Sequence, residues 1–283
     1  MASWAKSVVQ WRERGYLCLS VPFTWLLPVA RAIALQNPNE RIAVGGPGAK
    51  LLPDYASTFA EIEPFQPEGV LQRHHPEATR TSIGCSNSCW FCSVRTISGE
   101  FRVMDDWPLG RIIMDDNLLA AGENHIRRVC ERLDGIQNLI IEGLDPKLLT
   151  PTLAGLIAGL RPKSVRMGWD SEAETEQVWD AIATWRAAGG AKAAIRPYVL
   201  INAGETPMQA EGRMMRLQEA GHWGMVMRYQ APLLRRNEYL APEWTEQALR
   251  DFCRYWNRQI WLGGVAFHDY SRHPKPKAQG VLL

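Results

Sequence analysis

Between residues 81 and 229, short aliphatic runs alternate with longer amphipathic stretches, and this alternation limits the possible folds more than any other feature of the chain. The runs cover residues 81–84, 111–114, 138–141, 164–168, 195–201 and 223–229, and helical spacing recurs over 123–133, 152–160, 172–188 and 208–220. Strand, helix and strand in succession is the pattern of parallel βα units, because parallel neighbours need a crossover that a helix supplies. Six such units predict an α/β fold built on a partial (βα)6 parallel barrel, short of the eight of a closed one. At 283 residues, 46% apolar and 22% charged, the chain is long enough to bury a substantial core and to carry a small extra lobe.

The flanks read differently from the repeat. Residues 1–79 form a short N-terminal α/β lobe and linker, 80–230 the barrel, and 231–283 a C-terminal helical cover and tail. Within the lobe, 16–21 and 41–44 read as strands around a helix over 24–36, and the second strand runs into Gly45-Gly46-Pro47-Gly48. A tight connection explains that glycine turn more readily than a phosphate cradle. Residues 62–76, with Pro64, Pro67, Gly69 and Pro76, read as a linker. Residues 242–259 form an aromatic helix carrying Trp244, Phe252, Tyr255 and Trp256, and 271–283 a basic tail with Arg272, Lys275 and Lys277.

A net charge of +2 gives no electrostatic case for nucleic acid or a membrane surface. Residues 1–15 carry Lys6, Arg12, Glu13 and Arg14 and do not read as a signal peptide. The most apolar stretch, 16–35, is broken by Pro22, Pro28 and Arg31, too soon for a membrane span. A cytoplasmic protein is expected. Trp25, Trp179, Trp185 and Trp256 sit at helical core positions.

Polar residues gather where the runs end: Asp115, Asp116 and Asn117, then Glu142 and Asp145, Asp170 and Ser171, Asn202, and 228–230. That end of a parallel sheet is where active sites form, although Asp, Asn and Ser there also serve as helix caps. Of six cysteines, Cys18, Cys130 and Cys253 are scattered through apolar surroundings and read as small buried hydrophobes. Cys85, Cys89 and Cys92 fall together directly after the first run. Closely spaced cysteines on one loop can hold an iron–sulfur cluster, and three sulfurs for four irons leave one iron open to an outside ligand. The competing reading is a Cys3His zinc site, whose histidine would be His74, His75 or His125, none at customary spacing.

The Cys85-x3-Cys89-x2-Cys92 spacing, with Phe91 before the last cysteine and the motif after the first strand, resembles the radical S-adenosylmethionine (SAM) superfamily. The resemblance implies a [4Fe-4S] cluster that chelates SAM, cleaves it reductively to a 5′-deoxyadenosyl radical and abstracts hydrogen from a substrate. It further implies a reductase or flavodoxin-type electron donor. Asp116 and Asn117 stand where the family receives the methionine amine, and 199–205, with Asn202, resembles its adenine and ribose region. Phe91 would flank adenine, and Ser171 and Tyr198 would bind other parts of the cofactor. Glu142, Asp145, Asp170, Arg228 and Tyr229 would ring the rest of the mouth, with Asp170, Glu142 and Tyr229 as the catalytic candidates.

Val44-Gly45-Gly46-Pro47 and Val21-Pro22-Phe23-Thr24-Trp25 resemble a shortened cobalamin-type lobe. No Asp-x-His-x-x-Gly segment is present, which argues against cobalamin itself. The substrate could be a small molecule, a nucleotide or a peptide. A radical methyltransferase, a nucleotide- or RNA-modifying enzyme, and a non-catalytic iron–sulfur or zinc module stand as alternatives.

Overall fold

A computed structural model describes residues 6–233 and 238–270. The tail expected over 271–283 lies outside the described residues. The first sheet comprises β1 (Val9–Glu13), β2 (Tyr16–Ser20), β3 (Arg41–Gly45) and β4 (Glu61–Ile62), ordered β1-β2-β3-β4. β1 and β2 are antiparallel across Arg14-Gly15, both at positive φ as a two-residue hairpin turn demands, and the other pairs are parallel. Helix α1 (Leu27–Gln36) makes the first crossover, and two short helices, α2 (Pro47–Leu51) and α3 (Pro53–Ser57), make the second. Leu17, Leu19, Val21, Leu27, Ala30 and Val44 form this lobe's core.

The glycine turn serves close packing within the lobe. A Cβ on Gly46 would meet the Val21 carbonyl oxygen at 2.9 Å, and one on Gly48 the Phe23 carbonyl oxygen at 2.7 Å. Two readings need correction here. The stretch expected as a linker contributes β4's last residue and helix α4 (Val70–His74), and strand β1 was not expected, its half-exposed alternation giving little apolar signal.

The second sheet has six parallel strands in the order β12-β11-β10-β9-β8-β5. Its first strand is β5 (Ala78–Thr79) and not 81–84. Residues 82–83 form β6 (Ser82–Ile83), which pairs antiparallel with β7 (Arg102–Val103) around a loop that holds helix α5 (Val94–Ser98). The reason is a buried carboxylate: Asp115 accepts hydrogen bonds from Thr81 N, Thr81 Oγ1 and Ser82 Oγ at 2.7, 2.7 and 2.6 Å, drawing this segment off the sheet. The repeat then runs β8 (Ile112–Ile113), α6 (Gly122–Leu133), β9 (Ile140–Leu144), α7 (Pro151–Gly159), β10 (Ser164–Trp169), α8 (Thr175–Ala187), β11 (Ile195–Ile201), α9 (Pro207–Glu219) and β12 (Met225–Arg228).

The period-two alternation of the strands divides the sheet into two unlike faces. Val165, Met167, Trp169, Ile195, Val199, Ile201 and Val226 share one core with Ile126, Leu153, Val178, Trp185 and Met214 of the four crossover helices. On the other face Ala78, Ile112 and Met114 pack under Leu71 of α4, whereas Arg166, Gly168, Arg196, Tyr198 and Leu200 are only half-buried. Helix α10 (Glu246–Asn257), capped by the Thr245 hydroxyl, buries Leu249, Phe252, Tyr255 and Trp256. The Asn257 side chain accepts from Val226 N at 2.7 Å and donates to Val226 O at 3.0 Å, so it satisfies the outer edge of β12. Among the described residues no helix is long and apolar enough to cross a membrane.

Candidate cluster and cofactor site

The cysteine loop is closed at its base by the β6–β7 ribbon. Gly84, at φ 87°, opens it, and a Cβ there would sit 2.7 Å from the Glu100 carbonyl oxygen on the returning strand. Cys92 N donates to Cys89 O at 3.0 Å, while Cys85 Sγ accepts from Asn87 N and from Asn117 Nδ2, each at 3.4 Å. Burial raises the Cys89 and Cys92 thiols, and the charges of Asp170, Asp116 and the companion cysteines raise them further. Three thiolates so close to one another and to acids need a positively charged partner, and an iron–sulfur core is one.

Among the described residues no group of three or more His, Cys, Asp or Glu side chains is placed to hold a single metal ion. Cluster ligands sit on separate irons and need not converge on one point. The zinc reading also lacks its fourth ligand. His125 Nε2 lies 3.0 Å from Thr81 Oγ1, His74 Nε2 lies 2.9 Å from Ser20 Oγ, and His75 Nδ1 accepts from Glu77 N at 3.2 Å.

Asp115, Asp116 and Asn117, just past β8, have three different roles. Asp115 is the buried anchor of 81–82 already described. Asp116 accepts from Gly84 N at 2.9 Å and pairs with Arg80 at 3.5 Å, so it fixes the mouth of the cysteine loop. Asn117 leaves its Oδ1 buried without a partner, beside an Nδ2 that faces Cys85 Sγ and Asp145 Oδ2 at 3.4 Å each. A buried acceptor is costly to leave unpaired, and this one stands next to the cluster loop, where an ammonium donor would satisfy it.

No family model matches the chain, and no curated protein matches it by sequence. Among solved structures, the radical SAM methyltransferase TsrM from Kitasatospora setae, with cobalamin and a [4Fe-4S] cluster bound, superposes with a TM-score of 0.56 at 11% identity. The match covers 77% of this chain and 64% of that one, so this chain spans less than two thirds of its neighbour's length. The chain shares the α/β fold of that structure, with its six-stranded parallel sheet. Coproporphyrinogen III oxidase (HemN) from Escherichia coli, a radical SAM enzyme, overlaps 52% of this chain and 39% of its own at 13% identity and a TM-score of 0.41.

Several of the remaining expected residues are joined by one polar chain. Asn87 Nδ2 donates to Asp145 Oδ2 at 2.7 Å, Lys147 N caps onto Asp145 Oδ1 at 3.1 Å, Lys147 Nζ meets Glu174 at 2.7 Å, and Glu174 accepts from Asp170 N at 3.0 Å. Lys147 and Glu174 carried no signal in the sequence, since both look like ordinary surface charges. Burial, then the nearby Glu174 charge, pushes Asp170 up to about 6. Ser171 is exposed, and its hydroxyl makes no capping bond.

On the half-open face of the sheet, Arg166 pairs with Glu142 at 2.6 Å and donates to the Tyr198 hydroxyl. Burial raises Glu142 against the pull of Arg166, and raises Tyr198 with help from the Glu142 charge. Phe91 meets Trp90 edge-on at 5.6 Å; Trp90 reaches Tyr229 at 5.6 Å, and Tyr229 reaches Tyr239 at 5.2 Å. Trp90, missed from the sequence, thereby joins the cysteine loop to the end of β12.

Two of the expected residues are engaged elsewhere. Asn202 is fully buried at φ 63°, its amide donating to the carbonyls of Tyr229 and Tyr239 and accepting from Ala241 N at 2.8 Å. It clamps 229–241 onto β11 and has no donor left for adenine or ribose. Arg228 pairs with Glu246 at 2.7 Å.

Proposed function

We propose that this chain is a radical SAM enzyme whose Cys85, Cys89 and Cys92 hold a [4Fe-4S] cluster at the end of the parallel sheet, which curves as a partial barrel. When bound, the cluster supplies the electron for reductive cleavage of SAM, chemistry that belongs to the cofactor. The observation that carries the reading is the cysteine loop itself: three mutually interacting thiols between paired strands, tied to the end of β8 through Asp116 and Asn117. The chain's own part is positioning and exclusion of water. Asn117 Oδ1 would accept from the methionine amine beside the open iron, Asp116 would keep the loop mouth in register, and Trp90 with Tyr229 would cover the reacting side. Ser171 and Tyr198 would bind other parts of the cofactor, and Phe91 would flank adenine. Glu142, Asp170 and Tyr229 would face the substrate.

Residues 1–79 would act as an accessory lobe, 80–230 as the catalytic unit and 231–283 as its cover. The lobe's glycine turn is filled by its own backbone, which supports catalysis without cobalamin. The likeness to TsrM supports a second reading, radical methyl transfer.

Anaerobic reconstitution should load about four irons with matching sulfide, and alanine at any of the three cysteines should abolish it. Dithionite-reduced protein with SAM should then release 5′-deoxyadenosine, Cys89→Ala serving as the blank, and added cobalamin should change nothing. Stoichiometric zinc without cluster absorption, or no product above the blank, would overturn the proposal. Tight cobalamin binding would favour the methyl-transfer reading.

A further inference from the structure

The half-buried face of the six-stranded sheet carries a charge that no acceptor balances among the described residues. Arg166 and Arg196 are paired residues on neighbouring strands, so both side chains leave the sheet on the same side. Arg166 is satisfied by Glu142 and the Tyr198 hydroxyl. Arg196 is not. Its guanidinium makes no hydrogen bond or ion pair among the described residues, its Nε is buried without a partner, and it lies over the Trp223 ring at 5.6 Å. A guanidinium left without an acceptor in a half-buried setting is unfavourable, and a planar oxyanion is the ligand that fits its fork.

The same face supplies an apolar track from Arg196 toward the cluster end. Tyr198 and Leu200 follow at two-residue steps on β11, and Met225 and Met227 lie opposite them on β12. Met227 and Trp223 are more than two-fifths exposed, which is unusual for such residues on a sheet packed on its other side. Leu200 is four steps along β11 from Arg196, a rise of about 13 Å. Trp90 of the cysteine loop meets Tyr229, just past the end of β12, at 5.6 Å, which places the upper end of the track beside that loop.

We propose that this face binds the substrate, and that the substrate is an amphipathic small-molecule anion. Its carboxylate or phosphate pairs with Arg196, its apolar body lies along Leu200, Met225 and Met227, and its reacting carbon sits about 13 Å away near the rim. This rests on the radical SAM reading and adds the substrate class to it.

The test is calorimetric titration of the full chain, with and without reconstituted cluster, using octanoate, octyl phosphate and the uncharged octanamide. Saturable binding is expected for at least one anion, with octanamide weaker by about ten-fold or more. Which anion binds tighter separates carboxylate from phosphate. Arg196→Gln should erase the preference for the anion, Arg196→Lys should keep part of it, and Met227→Trp should weaken all three ligands by crowding the track. Thermal melts identify any variant that does not fold, and the lysine and tryptophan variants keep the test informative if the glutamine one fails. Equal binding of octanamide, a preference that survives in Arg196→Gln, or no binding of either anion would overturn the proposal. Iron content and 5′-deoxyadenosine release are measured separately, so a protein that binds the anion but makes no radical product would sink the enzymatic reading and leave the anion site standing.

Discussion

Replacing Asp115 with alanine tests whether the cysteine loop is held from beneath by a buried carboxylate. Asp115 is 3% exposed and accepts from three donors, Thr81 N, Thr81 Oγ1 and Ser82 Oγ, whose residues are themselves fully buried. In Asp115→Ala the Thr81 hydroxyl can still turn to His125, but the Thr81 N–H and the Ser82 hydroxyl lose their acceptor. Each buried donor left unpaired costs about 1–3 kcal/mol, for a gross loss of about 2–6 kcal/mol. Part of that is returned, because burial raises the Asp115 pKa and its charge is therefore costly at neutral pH. A net loss of about 1–4 kcal/mol is expected at pH 7. The sign with pH follows from the same shift: stability contributed by the group is fully present below its unfolded pKa near 3.8 and falls as pH rises through the raised folded value. Asp115→Asn, which keeps one acceptor oxygen and removes the charge, should lose less and show a flatter pH profile. Urea unfolding of the cluster-free protein measures the stability term, and iron retained after gel filtration measures the effect on the loop. An Asp115→Ala protein within about 0.5 kcal/mol of the parent, holding its iron equally well, would refute the reasoning.

Gly143→Ala should destabilise by about 3 kcal/mol or more and disturb SAM binding, since Gly143 sits at φ 72° and a Cβ there would stand 2.0 Å from the Asp115 carbonyl oxygen; denaturant melts and calorimetry check both. Asp170 is raised from 3.8 to about 6, so the cluster-free protein should lose up to about 3 kcal/mol of stability as pH rises from about 4 to about 6, and Asp170→Asn should flatten that window and be the more stable form at pH 7 in urea titrations. Burial pushes Cys130 and Cys253 up to about 11, so at pH 8 only about one thiol in a thousand is ionised at each, and mass spectrometry after brief iodoacetamide treatment should find them unmodified.

Most of the second sheet was legible in the sequence because β9 to β12 are four to seven residues long, apolar and separated by amphipathic helices. Ile195–Ile201 falls on the expected bounds, and 164–168 and 223–229 fall within a residue or two of β10 and β12. The first strand was misplaced because Thr81, Ser82 and Ile83 have strand-like chemistry, and only the long-range carboxylate of Asp115 decides that they leave the sheet. The cysteine motif stood out because its spacing is local. Asn202 did not declare its role, since a polar residue at the end of a parallel strand reads as a ligand contact until its partners at Tyr239 and Ala241 are known. Trp90, Lys147 and Glu174 were invisible for the same reason: what distinguishes them is whom they meet across the rim, which no spacing along the chain encodes.

Asn257 has a consequence for how the molecule behaves in company. The last strand of an open sheet offers a row of unpaired amides and carbonyls to any passing strand, and exposed edges of that kind seed aggregation. Here one carboxamide at the end of α10 presents to Val226 the donor and acceptor that a seventh strand would have offered, so the helix imitates a strand at the point where the ladder would otherwise continue. Sheet growth is thereby capped from within a single chain. Loss of that amide would alter solubility at high concentration well before it altered the fold.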